Sequence, residues 1–253
     1  MALIGDTRYD PAPFGYTGTW TGIPHVYNGR PDNLVELNQA DIDRTGDPLL
    51  LARSSVVSGL VLCGRDDEAM ALAVDLVTAA EATSNPASLT GALLVFGMVF
   101  RYDDPPRAMH TFRRAAAVAR DSGNRIHENY SASYLAVLEA EHGNPHVAMD
   151  LLTQAIRGYH DAGDIVDGRS PLARLAAFLA RTGCHEPAAV IAGYATSPLS
   201  QTTVPELAAV AEHLRAALGP DRQTALTDQG KAMAPNDAVR YALEQIEAAR
   251  ATL

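Results

Sequence analysis

"HGNPHVAMDLLTQAIRGYHDAGD" (residues 142–164) is the stretch on which the reading of the whole chain turns. It holds three histidines, His142, His146 and His160, which invites a catalytic or metal-binding reading. It also opens on Asn-Pro, runs for about four helical turns and closes on glycine, which invites a structural one.

Comparison of the chain with itself decides between the two. Around Ala69, Ala108, Ala148 and Ala188 it reads "GRDDEAMALAVDL", "YDDPPRAMHTFRR", "GNPHVAMDLLTQ" and "GCHEPAAVIAGY". The four alanines stand 39, 40 and 40 residues apart, and none of the three histidines recurs at an equivalent position. A second marker keeps the same step: "RTGD" at Gly46, "DSGN" at Gly123 and "DAGD" at Gly163, with Asn85 of "SNPA" near the expected missing position. Two independent markers therefore define one repeat of about forty residues.

Each marker has a physical role. In "DDEA", "DDPPRA" and "GNPHVA" the Asp or Asn can accept from the orphan N–H groups of a helix start, and proline fits the first turn, where a missing donor costs nothing. The alanine lets its helix approach a neighbour closely, and seven positions on stand Leu76, Ala115, Ala155 and Ala195, again small or apolar. Glycine after the last turn takes the left-handed conformation that ends a helix. Between each stop and the next start there is room for a further helix, roughly 48–63, 87–101, 125–141 and 170–182. A hairpin of this kind cannot bury its apolar face alone, whereas stacked hairpins share one core. The expected fold is all-α, a right-handed helical-hairpin solenoid with a C-terminal helical cap.

The ends differ from the repeats. Residues 1–30 hold five of the fifteen aromatics, Tyr9, Phe14, Tyr16, Trp20 and Tyr27, among Gly, Pro and Thr. They read as an irregular segment, either an arm for a partner or a cover over the first helix pair. Residues 31–200 carry the repeats, and 201–253 form atypical helices that fit a solenoid cap.

Composition narrows the partners. A formal net charge of −10 opposes phosphate backbones, so nucleic acid is not an expected direct partner. The longest uncharged apolar run, "LTGALLVFGMVF" at 89–100, is far shorter than the ~20 residues a membrane helix needs. "MALIGDTRYD" has no basic region followed by an apolar one, so a cytoplasmic location is expected. Cys63 and Cys184 form no CxxC and read as buried free thiols. The basic residues are nineteen arginines and the single Lys231, a bias typical of GC-rich bacterial genomes. "TDQGKAM" around Lys231 lacks the earlier glycine and the following Ser/Thr of a phosphate loop.

Three blocks carry a family resemblance: "TGDPLLLA" at 45–52, "LAAFLARTGCHEPAAVIAG" at 175–193 and the closing "LGPDRQTALTDQGKAMAPNDAVRYAL". Over about residues 30–250 the chain resembles the C-terminal helical-repeat region of large actinobacterial, including mycobacterial, signalling ATPases, cyclase-linked and LuxR-type regulators. The resemblance implies a tetratricopeptide-like fold, to which the forty-residue period adds support although the usual period is thirty-four. In that family an ATPase module precedes the repeats and, in the LuxR type, a helix-turn-helix follows them. Neither has a counterpart among these residues, so ATP hydrolysis, cyclase activity and DNA binding pass to no residue here. Whether the chain is a stand-alone repeat protein or part of a larger one stays open.

The remaining polar residues offer few chemical constellations. His142 and His146 have the i, i+4 spacing of a zinc helix, but Gly143 and Pro145 between them break the helix face. His160 falls in a last helical turn, where a cation suits the helix dipole. His127 and Glu128 are adjacent and point apart, with no nucleophile in view. No metal, cofactor or catalytic residue is expected, and the protein reads as a non-enzyme. Arg107 and Arg114, on one face of an arginine-rich helix with Arg113, Arg120 and Arg125, are candidates for an acidic partner, or for pairing with acids of neighbouring repeats. Arg53, Asn129, Tyr134 and Arg174 are groove-binding candidates, because helices of their class line the concave face of a solenoid. The expected function is protein interaction or regulation within a bacterial signalling or transcriptional regulator. The partner would be another protein or an attached ATPase or cyclase module. A small-molecule effector, which makes the domain a ligand sensor, is the alternative.

Overall fold

A computed structural model describes Val26, residues 30–47 and residues 49–252. The aromatic segment holding Tyr9, Phe14, Tyr16, Trp20 and Tyr27 lies outside the described residues, which contain thirteen helices and no strand. In chain order these are α1 (Pro31–Thr45), α2 (Leu51–Leu62), α3 (Asp66–Ala82), α4 (Pro86–Phe100), α5 (Pro105–Asp121), α6 (Arg125–His142) and α7 (Pro145–Asp161). They continue as α8 (Arg169–Arg181), α9 (His185–Ala195), α10 (Pro198–Thr203), α11 (Leu207–Leu218), α12 (Pro220–Lys231) and α13 (Pro235–Arg250). The all-α helical-repeat architecture is as the forty-residue period requires.

Both sequence markers do the work assigned to them. Ala69, Ala108, Ala148 and Ala188 are fully buried, as are Ala115, Ala155 and Ala195 one heptad on, while Leu76 is nearly so. Gly46, Gly123 and Gly163 have φ of 72°, 73° and 71°. After α5 the Asn124 N–H reaches back to the Ala119 carbonyl (2.8 Å), and after α7 the Asp164 N–H reaches the Tyr159 carbonyl (2.9 Å). These six-to-one bonds satisfy carbonyls that the helix end would otherwise orphan.

Asn85 departs from the expectation. The left-handed residue in that copy is Ser84 (φ 53°), and Asn85 is extended and caps the next helix, its Oδ1 accepting from Ala87 N at 2.9 Å. The chain therefore stops one helix without glycine and starts the next on the following residue. Asp104 and Asn144 cap α5 and α7 as read, accepting from Arg107 N and His146 N. In "DDEA" the aspartates lie inside the first turn, where they complement the helix dipole, and Arg65 is the cap residue.

The helices divide into two kinds. In α4, 12 of 15 residues are buried, and in α8, 11 of 13; these helices are interior, α4 apolar nearly all round. In α5 and α7 only six of 17 are buried, along one stripe, and the rest face water. The polar groups of α4 are satisfied internally: Thr90 Oγ1 donates to the Pro86 carbonyl, and Ser88 Oγ donates to the Leu49 carbonyl one repeat earlier.

The chain forms two compact units, one up to His127 and one from Glu128 onward, so the division falls within α6. In the first, α2 packs on α1, α3 and α4, and α4 packs on α3 and α5. In the second, α8 and α9 are central. α7, α9, α10 and α11 pack on α8, while α11, α12 and α13 pack on α9. The helices expected as a cap thus share one core with the last repeat: Leu214, Leu226, Ala242 and Ile246 are buried with Leu175, Leu179 and Val190.

α9 and α12 meet backbone to backbone. A Cβ on Gly193 would collide with the Thr227 carbonyl, and one on Gly230 with the Val190 carbonyl. The glycine of "TDQGKAM" is there for helix crossing, and Lys231 beside it pairs with Asp228 at 2.8 Å on the surface. Carbonyl oxygens of two packed helices cannot rotate away as a side-chain tip can. Gly230→Ala is therefore expected to lower the unfolding free energy by about 1–3 kcal/mol, the cost of overpacking. Urea denaturation followed by circular dichroism measures it, and an unchanged midpoint would show that the crossing is not tight.

Candidate functional site

The first unit holds a groove of about 390 Å³ between α1, α2 and α3. Its floor is apolar: Ile42 from α1, Val56 and Val57 from α2, Leu76 and Ala79 from α3. Gln39, Arg53 and Asp75 are the polar groups on its wall. Arg53, one of the sequence candidates, is exposed; its Nη2 leans toward the Gly46 carbonyl at 3.4 Å. Its backbone N–H donates to Asp47 Oδ2 at 2.8 Å, which fixes the entry to α2. Leu72 also lines the groove and is 48% exposed. Spaces of a few hundred Å³ with apolar walls and a few polar groups are the usual form of a binding site.

The other three groove candidates lie in the second unit and are buried. Asn129 on α6 sits against Gly158 of α7, where any Cβ would strike its amide. Tyr134 and Arg174 stand 40 residues apart, one repeat, on α6 and α8, and form a stacked pair with the guanidinium 4.3 Å from the ring centroid. Arg174 is 6% exposed and donates to Ser133 Oγ (3.2 Å) and to the Thr203 carbonyl (3.3 Å). The space beside it, lined by Ala136, Phe178, Val204 and Glu206 among others, measures about 10 Å³, room for one water. Tyr134 and Arg174 thus join neighbouring repeats, and Arg53 is the candidate that reaches an open groove.

The acidic-partner candidates are engaged within the first unit. The Arg107 guanidinium stacks on Phe96 and Phe100 (4.6 and 4.1 Å), and Arg114 pairs with Glu81 of α3 at 2.7 Å. Both side chains remain exposed, and such pairs are worth little in stability.

The histidines of residues 142–164 do not assemble. His142 lies 4.0 Å from Glu141, His146 gives its backbone N–H to Asn144, and His160 Nε2 meets Asn236 Oδ1 at 3.2 Å. Among the described residues no three or more His, Cys, Asp or Glu side chains gather as a site closed by protein ligands would need. Burial holds His127 below the ordinary histidine range, and its Nδ1 lies 3.1 Å from Asn124 Nδ2. Glu128 accepts from Gln154 at 3.3 Å. Cys63 and Cys184 are free, as read, but half-buried. Burial, reinforced by Asp32, pushes the Cys63 thiol up, so it is no activated nucleophile.

Sequence reasoning missed Gln39, Leu72 and Asp75, because a groove wall assembled from three helices leaves no pattern along the chain. It also missed the convergence of His185 and His213, 28 residues apart.

Tyr159, on α7, is almost completely buried and packs edge-on against Tyr130, ring centroids 5.9 Å apart. Burial drives its phenol well above the ordinary value, Asp167 reinforces the rise and Arg174 opposes it. A raised folded-state pKa contributes stability that is fully present below about pH 10, the unfolded tyrosine value, and is lost as pH rises toward the folded value. Above pH 10 the wild type is therefore expected to lose up to about 1.4 kcal/mol per pH unit through this residue, and Tyr159→Phe is expected to remove that share of the slope. Urea titrations between about pH 9 and 11 measure it; identical slopes would contradict the assignment.

No protein-family model and no curated protein matches the chain.

Proposed function

We propose that the chain is a non-catalytic interaction module, the helical-repeat part of a bacterial signalling or transcriptional regulator of the actinobacterial type. The observation that carries the reading is the α1–α2–α3 groove. It sets an exposed Leu72 and the opposite charges of Arg53 and Asp75 around an apolar floor, and such a surface takes an apolar side chain flanked by polar groups. A docked segment of another protein, or of an attached ATPase or cyclase module, supplies both. The repeat architecture supports this, since stacked hairpins expose extended surfaces for partners. The net charge of −10 supports a protein partner over nucleic acid, and among the described residues no helix is long and apolar enough to cross a membrane. These features fit work in the cytoplasm beside the regulator's other modules.

A second reading, a small-molecule sensor, rests on the size of the same groove, which falls in the range of ligand pockets. The two separate experimentally. Under the interaction reading, a partner captured from the source cell protects Leu72 and Arg53 from radical footprinting, and Leu72→Asp weakens its capture by about tenfold or more, as loss of a central apolar anchor does. No captured partner, together with a thermal shift from a metabolite that Leu72→Asp abolishes, would replace the interaction reading with the sensor.

A further inference from the structure

We infer that His185 and His213 form a two-imidazole site for a divalent ion of the zinc class, Zn2+, Ni2+ or Cu2+. His185 is the first residue of α9 and is followed by the fully buried Ala188 and Ala189; His213 on α11 precedes the buried Leu214. Packing of α9 on α11 therefore fixes both backbones and brings the rings together. The Nε2 atoms face each other at 3.3 Å, with ring centroids 5.2 Å apart and planes at 61°.

That separation matches the chemistry of the ion. Two nitrogens at about 2.0–2.1 Å from a tetrahedral centre lie about 3.3–3.4 Å from each other. Without metal the same distance is held by an Nε2–H···Nε2 hydrogen bond between imidazoles of opposite tautomer. When an ion arrives, the ring that carries its proton on Nε2 moves it to Nδ1, and with a tilt of the rings both Nε2 lone pairs become free to bind the metal.

The site is open. No third His, Cys, Asp or Glu joins the pair among the described residues, and the carboxylate of Glu186, next to His185, is held by Arg222 at 2.8 Å. Water or a group from a bound molecule fills the other positions. Ligation ties α11 to α9 across the intervening chain, so bound ion stabilises the second unit.

The test is calorimetric titration of the full chain with zinc chloride at about pH 7.5. The wild type is expected to bind, with His185→Gln and His213→Gln each weakening binding by about tenfold or more. His142→Gln and His146→Gln are expected to leave it unchanged. Both rings of the pair reach solvent, so the variants are expected to keep the wild-type circular dichroism spectrum. With Cu2+, the electron paramagnetic resonance spectrum is expected to show coupling to two nitrogens in the wild type and one in His213→Gln. Absence of zinc binding by the wild type, or binding by His185→Gln and His213→Gln as tight as the wild type's, would overturn the assignment and leave the pair as a hydrogen bond alone.

Discussion

Two helices approach only as closely as the side chains between them allow, and in this chain alanine and glycine set that limit. Ala69, Ala108, Ala148 and Ala188 have no exposed surface, and Gly193 and Gly230 have a neighbouring carbonyl where a Cβ would stand. Because interiors are packed to crystal density, an added methylene at such a position must move a helix.

The same constraint separates structural from functional surface. With α4 and α8 buried over most of their length, polar residues on these helices and at their ends become joints between repeats. Three of these joints span one period or close to it: Ser88 to the Leu49 carbonyl, Arg174 over Tyr134, and Arg181 with Glu141. A buried guanidinium such as Arg174 is tolerated because an aromatic face and two acceptors surround it. Under the proposed function, the surface open to a partner lies where a helix face is only partly covered, as in the groove beside Leu72.

Most of the fold was legible because the period is written in small residues, whose meaning depends little on context. Caps at Asp104 and Asn144 and stops at Gly46, Gly123 and Gly163 follow from one residue's conformational chemistry. Asn85 was misplaced because asparagine suits both a left-handed stop and a helix cap, and only the geometry shows that Ser84 takes the first role. The site was less legible. Arg53, Asn129, Tyr134 and Arg174 looked alike as polar residues on helices of one class, and tertiary packing alone put Arg53 at a groove and the others inside. The pairing of His185 with His213 depends on how α11 folds back on α9, which no periodicity encodes.

The most direct test of the central claim compares Ala108→Leu with Ala117→Leu, a buried and an exposed alanine on the same helix. Helix propensity is matched, so urea denaturation isolates the contact. Close approach at the repeat position predicts that Ala108→Leu costs about 1–3 kcal/mol while Ala117→Leu stays within about 0.5 kcal/mol of the wild type. Equal, small effects from both would contradict the account, since the forty-residue alanine would then mark no helix contact.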